Sequence, residues 1–327
     1  MKIVIPDDYQ DVVHRLACFS MLDGHEVVRY REPARHTDEL VARLQDADIV
    51  VEIRERVALT RAVIECLPKL KLIALVGSRS RAIDIAACTE RGIRVARGES
   101  GSPEAPAELA VALMLSARRH VVTEAERMRR GEWPSTLSHR LRGSMLGIFG
   151  LGHIGRYVAA AGHGLGMHVL VWGREGSLNA ARGAGYDIAS SKAELFERAD
   201  VLQLLVRLSP ETHGIVTAAD LALMKPTALF VNVARAELVE PGALLAALRA
   251  GQPGSAAVDV YEQEPIVGGD HPFLKMPNVL CTPHLGWTDW ETFELYFGEC
   301  FEQIVAFADG RPLRLANPEV EQRRPGA

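Results

Sequence analysis

Short apolar, β-branched runs alternate with amphipathic stretches along most of the chain. Residues 3–5, 26–30, 48–53, 70–76 and 93–96 form a first series of such runs and predict strands. Between them, 38–45, preceded by Thr37 as a cap, and 83–91, followed by Gly92 where a helix end needs a positive φ, predict helices. Strands separated by helices pair in parallel, because a crossover helix returns the chain to the same edge of the sheet. The Gly/Ser/Pro patch 98–103 breaks the alternation and predicts a hinge, with one long helix over 104–130 after it. A second series then begins, with strands at 145–149, 168–172, 201–206, 228–233, 256–260 and 279–281. A helix follows from 290 to 308, and the polar stretch 319–327 has no core-forming pattern and predicts a frayed tail.

Composition narrows the class. With 327 residues the chain is long enough for two domains, and 48% hydrophobic with 24% charged residues is the balance of a packed globular protein. Thirty-seven Lys and Arg against 42 Asp and Glu leave a net charge of −5, which argues against nucleic acid or an anionic membrane as partner. The arginines at 118–119 and 127–130 fit the solvated side of the long helix. Five scattered cysteines without a CxxC pair predict reduced thiols, and the acids Asp7 and Asp8 precede any signal-peptide core, so a cytosolic setting is expected. Eleven histidines include no HExxH, and His163 and His168 are out of helical register with each other; no metal is expected.

Two groups of residues carry candidate chemistry. Gly150-Leu-Gly152-His153-Ile154-Gly155 places G-x-G-x-x-G directly after an apolar strand and before the helical stretch 156–164. Gly150 permits the tight turn, Gly152 lets a pyrophosphate approach the backbone and Gly155 allows close helix–strand packing, while the helix start offers its N–H groups to phosphate. The next strand would normally end in an acid for the adenosine ribose, but here it runs into Gly173-Arg174-Glu175. Removing the carboxylate and supplying a guanidinium suits a 2′-phosphate and favours NADP over NAD.

The second group is Arg235, Glu264 and His284, each following a strand of the second series. In an open parallel sheet the carboxyl ends of the strands line the ligand crevice, so these side chains can converge. Singly, each is more ordinary: an exposed turn arginine, a loop carboxylate, a hydrogen-bonded strand-end histidine. Together with the dinucleotide turn they point to hydride-transfer chemistry. An imidazole can donate or accept a proton near neutral pH, a carboxylate beside it fixes the ring, and a guanidinium binds carboxylates and oxyanions.

These pieces, with Asn232-Val-Ala-Arg235, Asp259-Val-Tyr-Glu-Gln-Glu264-Pro265 and Thr282-Pro-His284-Leu-Gly286, make the chain resemble the D-isomer-specific 2-hydroxyacid dehydrogenases over nearly its whole length. That family includes glyoxylate/hydroxypyruvate reductases and phosphoglycerate dehydrogenases. The resemblance implies an α/β fold of two doubly wound parallel-sheet domains, a Rossmann cofactor domain (98–290) inserted into a flavodoxin-like substrate domain (1–97 plus 291–318), normally as a homodimer. It implies Arg235 as the carboxylate-binding and carbonyl-polarising arginine, His284 as acid/base and Glu264 as its partner. It further implies Asp259 near the nicotinamide carboxamide, and backbone of Val233, Ala234, Arg235, His284 and Gly286 against the NADP or NAD cofactor. Backbone N–H groups of Val76 and Gly77 would cradle the substrate carboxylate, with Arg54, Arg79 and Arg81 as further candidates. Ala236 departs from the family glycine after the arginine, Glu240 stands where an aspartate is common, and the loop 205–209 lacks the usual proline and histidine. Two other readings of the same motifs are a dinucleotide-sensing corepressor-like binding module and a formate-dehydrogenase-like enzyme. A short tail disfavours the first, and Glu264 in place of glutamine disfavours the second.

Overall fold

A computed structural model describes residues 1–323. In chain order it forms β1 (Lys2–Ile5), β2 (Glu26–Arg29), α1 (Thr37–Leu44), β3 (Ile49–Ile53), α2 (Arg61–Glu65), β4 (Leu72–Val76), α3 (Ile85–Glu90) and β5 (Arg94–Ala96). Next come α4 (Glu104–Arg118), α5 (Val121–Arg129), β6 (Met145–Phe149), α6 (His153–Gly164), β7 (His168–Trp172), α7 (Glu175–Ala184) and β8 (Asp187–Ile188). The last third adds α8 (Lys192–Arg198), β9 (Val201–Leu204), α9 (Ala218–Ala222), β10 (Leu229–Asn232), α10 (Ala243–Ala250), β11 (Ser255–Val258), β12 (Val279–Cys281) and α11 (Trp290–Ala308).

The chain divides into two units, one made of Met1–Gly101 with the segment from Thr288 onward, the other of Ser102–Trp287. The first holds a five-stranded sheet in the order β2-β1-β3-β4-β5, the second a seven-stranded sheet in the order β12-β11-β10-β9-β6-β7-β8. Every pairing between these strands is parallel. These are the flavodoxin-like and Rossmann orders. The reason lies in the strands: β3, β4, β9 and β10 are buried at every position, so both faces must be covered by helices. In the second unit the order reverses between β6 and β9. There the chain leaves the two strands toward opposite sides and opens a crevice at their carboxyl ends.

Three local expectations are corrected. The long helix over 104–130 is two helices, α4 and α5, separated by His120 in a left-handed conformation (φ 54°). A single such residue redirects the axis without disturbing the apolar spacing on either side, so periodicity alone does not reveal it. The first helix starts at Thr37 rather than after it: the cap is His36, whose Nδ1 accepts the Glu39 N–H at 3.2 Å. The expected fray at 319–327 does not hold through residue 323, and 324–327 lie outside the described residues. Pro318–Arg323 forms a 3-10 turn, Val320 is buried, and Glu321 pairs with Arg94 at 2.5 Å. Just before it, the buried Asn317 side chain accepts the Val95 N–H at 2.9 Å. Those partners are more than two hundred positions away in sequence, which hides them from any local pattern.

One residue breaks the apolar rule of the first sheet. Glu52 lies in the central strand β3, only 1% exposed, opposite Leu75 of β4. Burial pushes its carboxyl from the ordinary 4.5 up to about 8, against the lowering effect of the Glu55 N–H that it accepts. Because the folded protein holds this proton more tightly than the unfolded chain does, the contribution of Glu52 to stability is full below about pH 4.5 and declines as pH rises toward 8. Glu52→Gln should flatten that decline, stabilising the protein at pH 8.5 with little effect at pH 4.5, as read from urea unfolding at the two pH values. Parallel pH profiles for the two proteins would contradict it.

Candidate active site

The glycine turn follows β6 and leads into α6, with Gly152 as the residue before the helix and no side chain capping it. Each glycine has its own constraint. Gly150 has φ 97°, and a Cβ there would sit 3.0 Å from the Leu205 carbonyl oxygen after β9, across the point where the strand order reverses. At Gly155 a Cβ would meet the Gly150 carbonyl oxygen, so helix and turn can touch only without a side chain. A Cβ at Gly152 would meet nothing within 4 Å, so the backbone is open to close approach beside the N–H groups of His153 and Ile154, which no side chain caps. The turn therefore fits a dinucleotide. At the end of β7, Arg174 is exposed and precedes α7, while the carboxylate of Glu175 is bonded to Arg182 at 2.9 Å.

Arg235, Glu264 and His284 follow β10, β11 and β12, three adjacent strands of one sheet. Glu264 Oε2 lies 2.5 Å from His284 Nδ1, and its other oxygen accepts the Tyr261 N–H at 2.9 Å. A carboxylate accepts hydrogen bonds, which assigns Nδ1 as the donor of this pair and leaves Nε2 outside it. His284 itself has φ 53°, an unfavourable conformation for a residue other than glycine. The buried Asp259 holds that turn from both sides. Its Oδ1 accepts the Thr282 hydroxyl at 2.6 Å and the Leu285 N–H at 2.7 Å, and its Oδ2 accepts the Gly286 N–H at 2.9 Å. The same carboxylate is the one that the family resemblance sets near the nicotinamide carboxamide, and its protein bonds hold the histidine turn. Burial raises the Asp259 pKa, opposed by the Thr282 and Leu285 bonds.

Val76, Gly77 and Arg54 belong to the first unit. Gly77 has φ 106° at the end of β4, and Arg54 lies against it, its guanidinium also 5.5 Å from the Tyr296 ring centroid. Arg79 is exposed, and Arg81 bonds to Glu55 through its N–H at 3.0 Å. Among the described residues one group, Asp8, Asp11 and His14, brings metal-type donors together, but the Arg29 guanidinium already donates to Asp8 at 2.6 Å and to Asp11 at 2.8 Å.

The family model for the D-isomer specific 2-hydroxyacid dehydrogenase NAD binding domain matches residues 111–286. A phosphoglycerate oxidoreductase structure from Vibrio cholerae o395 is 46% identical with a TM-score of 0.91, over 95% of this chain and 99% of that one. A D-3-phosphoglycerate dehydrogenase of Methanocaldococcus jannaschii is 38% identical over 76% of this chain, which spans 47% of that longer relative. A glyoxylate reductase of Aeropyrum pernix is 35% identical over 79% of this chain and 80% of the relative. The chain belongs to the D-isomer-specific 2-hydroxyacid dehydrogenase family. It is a nicotinamide-dependent oxidoreductase, and the match covers the glycine turn, Arg235, Glu264 and His284.

Within this dehydrogenase, three residues that hold the site were not singled out as site residues. The Asn232 side chain donates to the Arg235 carbonyl at 2.9 Å and accepts the Ala234 N–H at 3.0 Å, closing the turn that carries Arg235. The Tyr261 hydroxyl donates to the Thr282 carbonyl at 2.9 Å, and the Thr282 hydroxyl reaches Asp259, so both tie the β11 end to the histidine loop. Asn at the end of an apolar strand is a readable turn signal; the bonds of Tyr261 and Thr282 are not local. Two of the departures are absorbed: Ala236 is buried in a short 3-10 turn, and Glu240 accepts the Ala218 N–H at 2.9 Å.

Proposed function

We propose that this dehydrogenase interconverts a small 2-oxo acid and its D-2-hydroxy acid, with His284 as acid/base, Glu264 as its partner and Arg235 as the substrate-binding cation. The observation that carries the reading is the direct Glu264–His284 contact at 2.5 Å, after β11 and β12, the two strands next in order to the β10 that leads to Arg235. The nicotinamide, when bound, supplies or accepts the hydride. In reduction, His284 donates its Nε2 proton to the oxygen of the former carbonyl, and Glu264 stabilises the ring while it is charged. Arg235 holds the substrate carboxylate in its forked donors and draws electron density toward the carbonyl oxygen. For oxidation the ring starts neutral and takes the hydroxyl proton. The Val76 and Gly77 amides are the proposed cradle of the carboxylate, and the neighbouring Arg54 suits a substrate with a further anionic or hydroxyl group. Relatives named for glyoxylate and phosphoglycerate support that substrate class.

Backbone of Val233, Ala234 and Gly286 is proposed to border the cofactor. Its phosphates fall to Gly150, Gly152, His153, Ile154 and Gly155, and Arg174 is proposed to select NADP over NAD. The Glu175 carboxylate, next in the chain to Arg174, is paired with Arg182 at 2.9 Å, which supports this reading. Five free thiols suit the proposed cytosolic setting.

A homodimer is also proposed. In the second unit Val121, Val122 and Met128 of α5, with Trp133 and Leu137 after it, are exposed, Leu137 at 95% and Trp133 at 78%. A patch of this kind suits burial against a second copy.

The decisive assay sets glyoxylate, hydroxypyruvate, pyruvate and 3-phosphohydroxypyruvate against NADH and NADPH, following loss of reduced-nicotinamide absorbance. Turnover of at least one pair is expected. His284→Ala should lower kcat by about 100-fold or more with cofactor affinity retained; unchanged kcat would remove His284 from proton transfer. Arg174→Ala should weaken NADPH by about tenfold and NADH little, and equal losses would undo the 2′-phosphate role. Sedimentation at micromolar concentration should give twice the 35.7 kDa chain mass, against a single-chain mass if the patch has no such partner.

A further inference from the structure

We propose that Glu52 is a positioning residue for substrate binding: from the middle of β3 its carboxyl holds the left-handed Arg54–Glu55 turn and thereby sets the Arg54 guanidinium against the Val76–Gly77 cradle. This rests on the proposed role of Val76 and Gly77 in holding the substrate carboxylate.

A carboxyl in the central strand of a sheet buried on both faces is a poor packing choice, and Glu52 is 1% exposed. One of its oxygens has a definite task. Oε1 accepts the Glu55 N–H at 2.5 Å, three residues on. Between them the backbone takes two successive left-handed residues, Arg54 at φ 49° and Glu55 at φ 67°, neither of them glycine. Each carries a steric cost that the surroundings must hold in place, and the N–H they turn inward needs an acceptor in the core.

The turn sends three consecutive charged side chains to three places. Arg54 packs on Gly77 so closely that a Cβ there would stand 2.9 Å from its Nη1 and 3.3 Å from its Cδ. Glu55 accepts from the Arg81 N–H at 3.0 Å, and Arg56 donates to the Asp7 carbonyl at 2.7 Å. Gly77 is fixed from the other side as well, its carbonyl accepting the Gly98 N–H at 2.9 Å. The position of the Arg54 cation beside the cradle therefore depends on the turn, and the turn on Glu52.

The second oxygen, Oε2, is buried, and the Ser80 side chain is the other polar group beside the carboxyl. The charged or titratable groups about the carboxyl are Arg54 and Glu55 of its own turn, Arg56 after it and Cys300 of α11. A clamp that uses one oxygen needs an acceptor, not a charge. An amide of the same shape can replace it and a thioether cannot.

Glu52→Met and Glu52→Gln separate this from a packing role. In Glu52→Met the KM for the 2-oxo acid should rise about tenfold, with kcat within about twofold and cofactor affinity unchanged; Glu52→Gln should bring KM back to within about threefold of the parent. A residue that only fills the core would lower the melting temperature and leave the KM of the folded enzyme alone, and that outcome overturns the proposal. If Glu52→Met does not fold, Arg54→Met carries the test: the same rise in KM is expected, and an unchanged KM overturns it. Oxamate, an unreduced isostere of a 2-oxo acid, titrated calorimetrically onto the full chain with NADH or NADPH, gives the same comparison without turnover. Absence of turnover with Glu52-dependent oxamate binding would defeat the proposed reaction and leave the positioning role standing. Turnover with a KM indifferent to both substitutions would do the reverse, and neither turnover nor oxamate binding would defeat both.

Discussion

Parallel pairing is the constraint on which the rest of the molecule depends. When every strand of a sheet runs the same way, each connection after a strand emerges at one edge, and side chains far apart in sequence are delivered side by side. In the seven-stranded sheet that edge collects the glycine turn after β6, the Arg235 turn after β10, the Asp259–Glu264 segment after β11 and the His284 loop after β12. Strands buried on both faces cannot expose one face to water, so covering helices are required, and those helices in turn make the crossovers parallel.

The edge is then made rigid by buried polar groups rather than by apolar packing. Asn232 closes one turn, Asp259 spans another from Thr282 to Gly286, and Tyr261 links the β11 end to the Thr282 carbonyl. Breaking one such bond leaves a buried partner unsatisfied, at a cost of about 1–3 kcal/mol, so these groups favour one geometry strongly. His284 shows the use of that cost: a left-handed histidine persists because both flanks of its turn are tied to one carboxylate. Glu52 shows the same device in the other unit, a buried carboxyl accepting the N–H of a left-handed turn.

The two sheets differ in what their carboxyl ends offer. The five-stranded sheet ends β4 in the left-handed Gly77 with the Arg54 side chain against it. Its seven-stranded counterpart presents an uncapped helix start and an imidazole–carboxylate pair, suited to a dinucleotide and to proton transfer. The two sheets are separately built, each with its own core.

Much of this is written in local patterns. Alternating β-branched runs and amphipathic stretches define the strands, because burial on both faces leaves a continuous apolar signature, and G-x-G-x-x-G between strand and helix identifies the dinucleotide turn, because only glycine permits its close approaches. Arg235, Glu264 and His284 are legible as candidates from their places after strands. What local patterns do not contain is the break at His120, the burial of Val320, the bonds of Asp259 and the inward turn of Glu52. Each depends on a backbone angle or on a partner brought near only when the sheets close. The chain's own order of residues therefore determined the element pattern, the family and the chemical types at the site; the folded arrangement alone decided which polar groups meet, because a hydrogen bond is set by distance and direction in space and not by spacing along the chain.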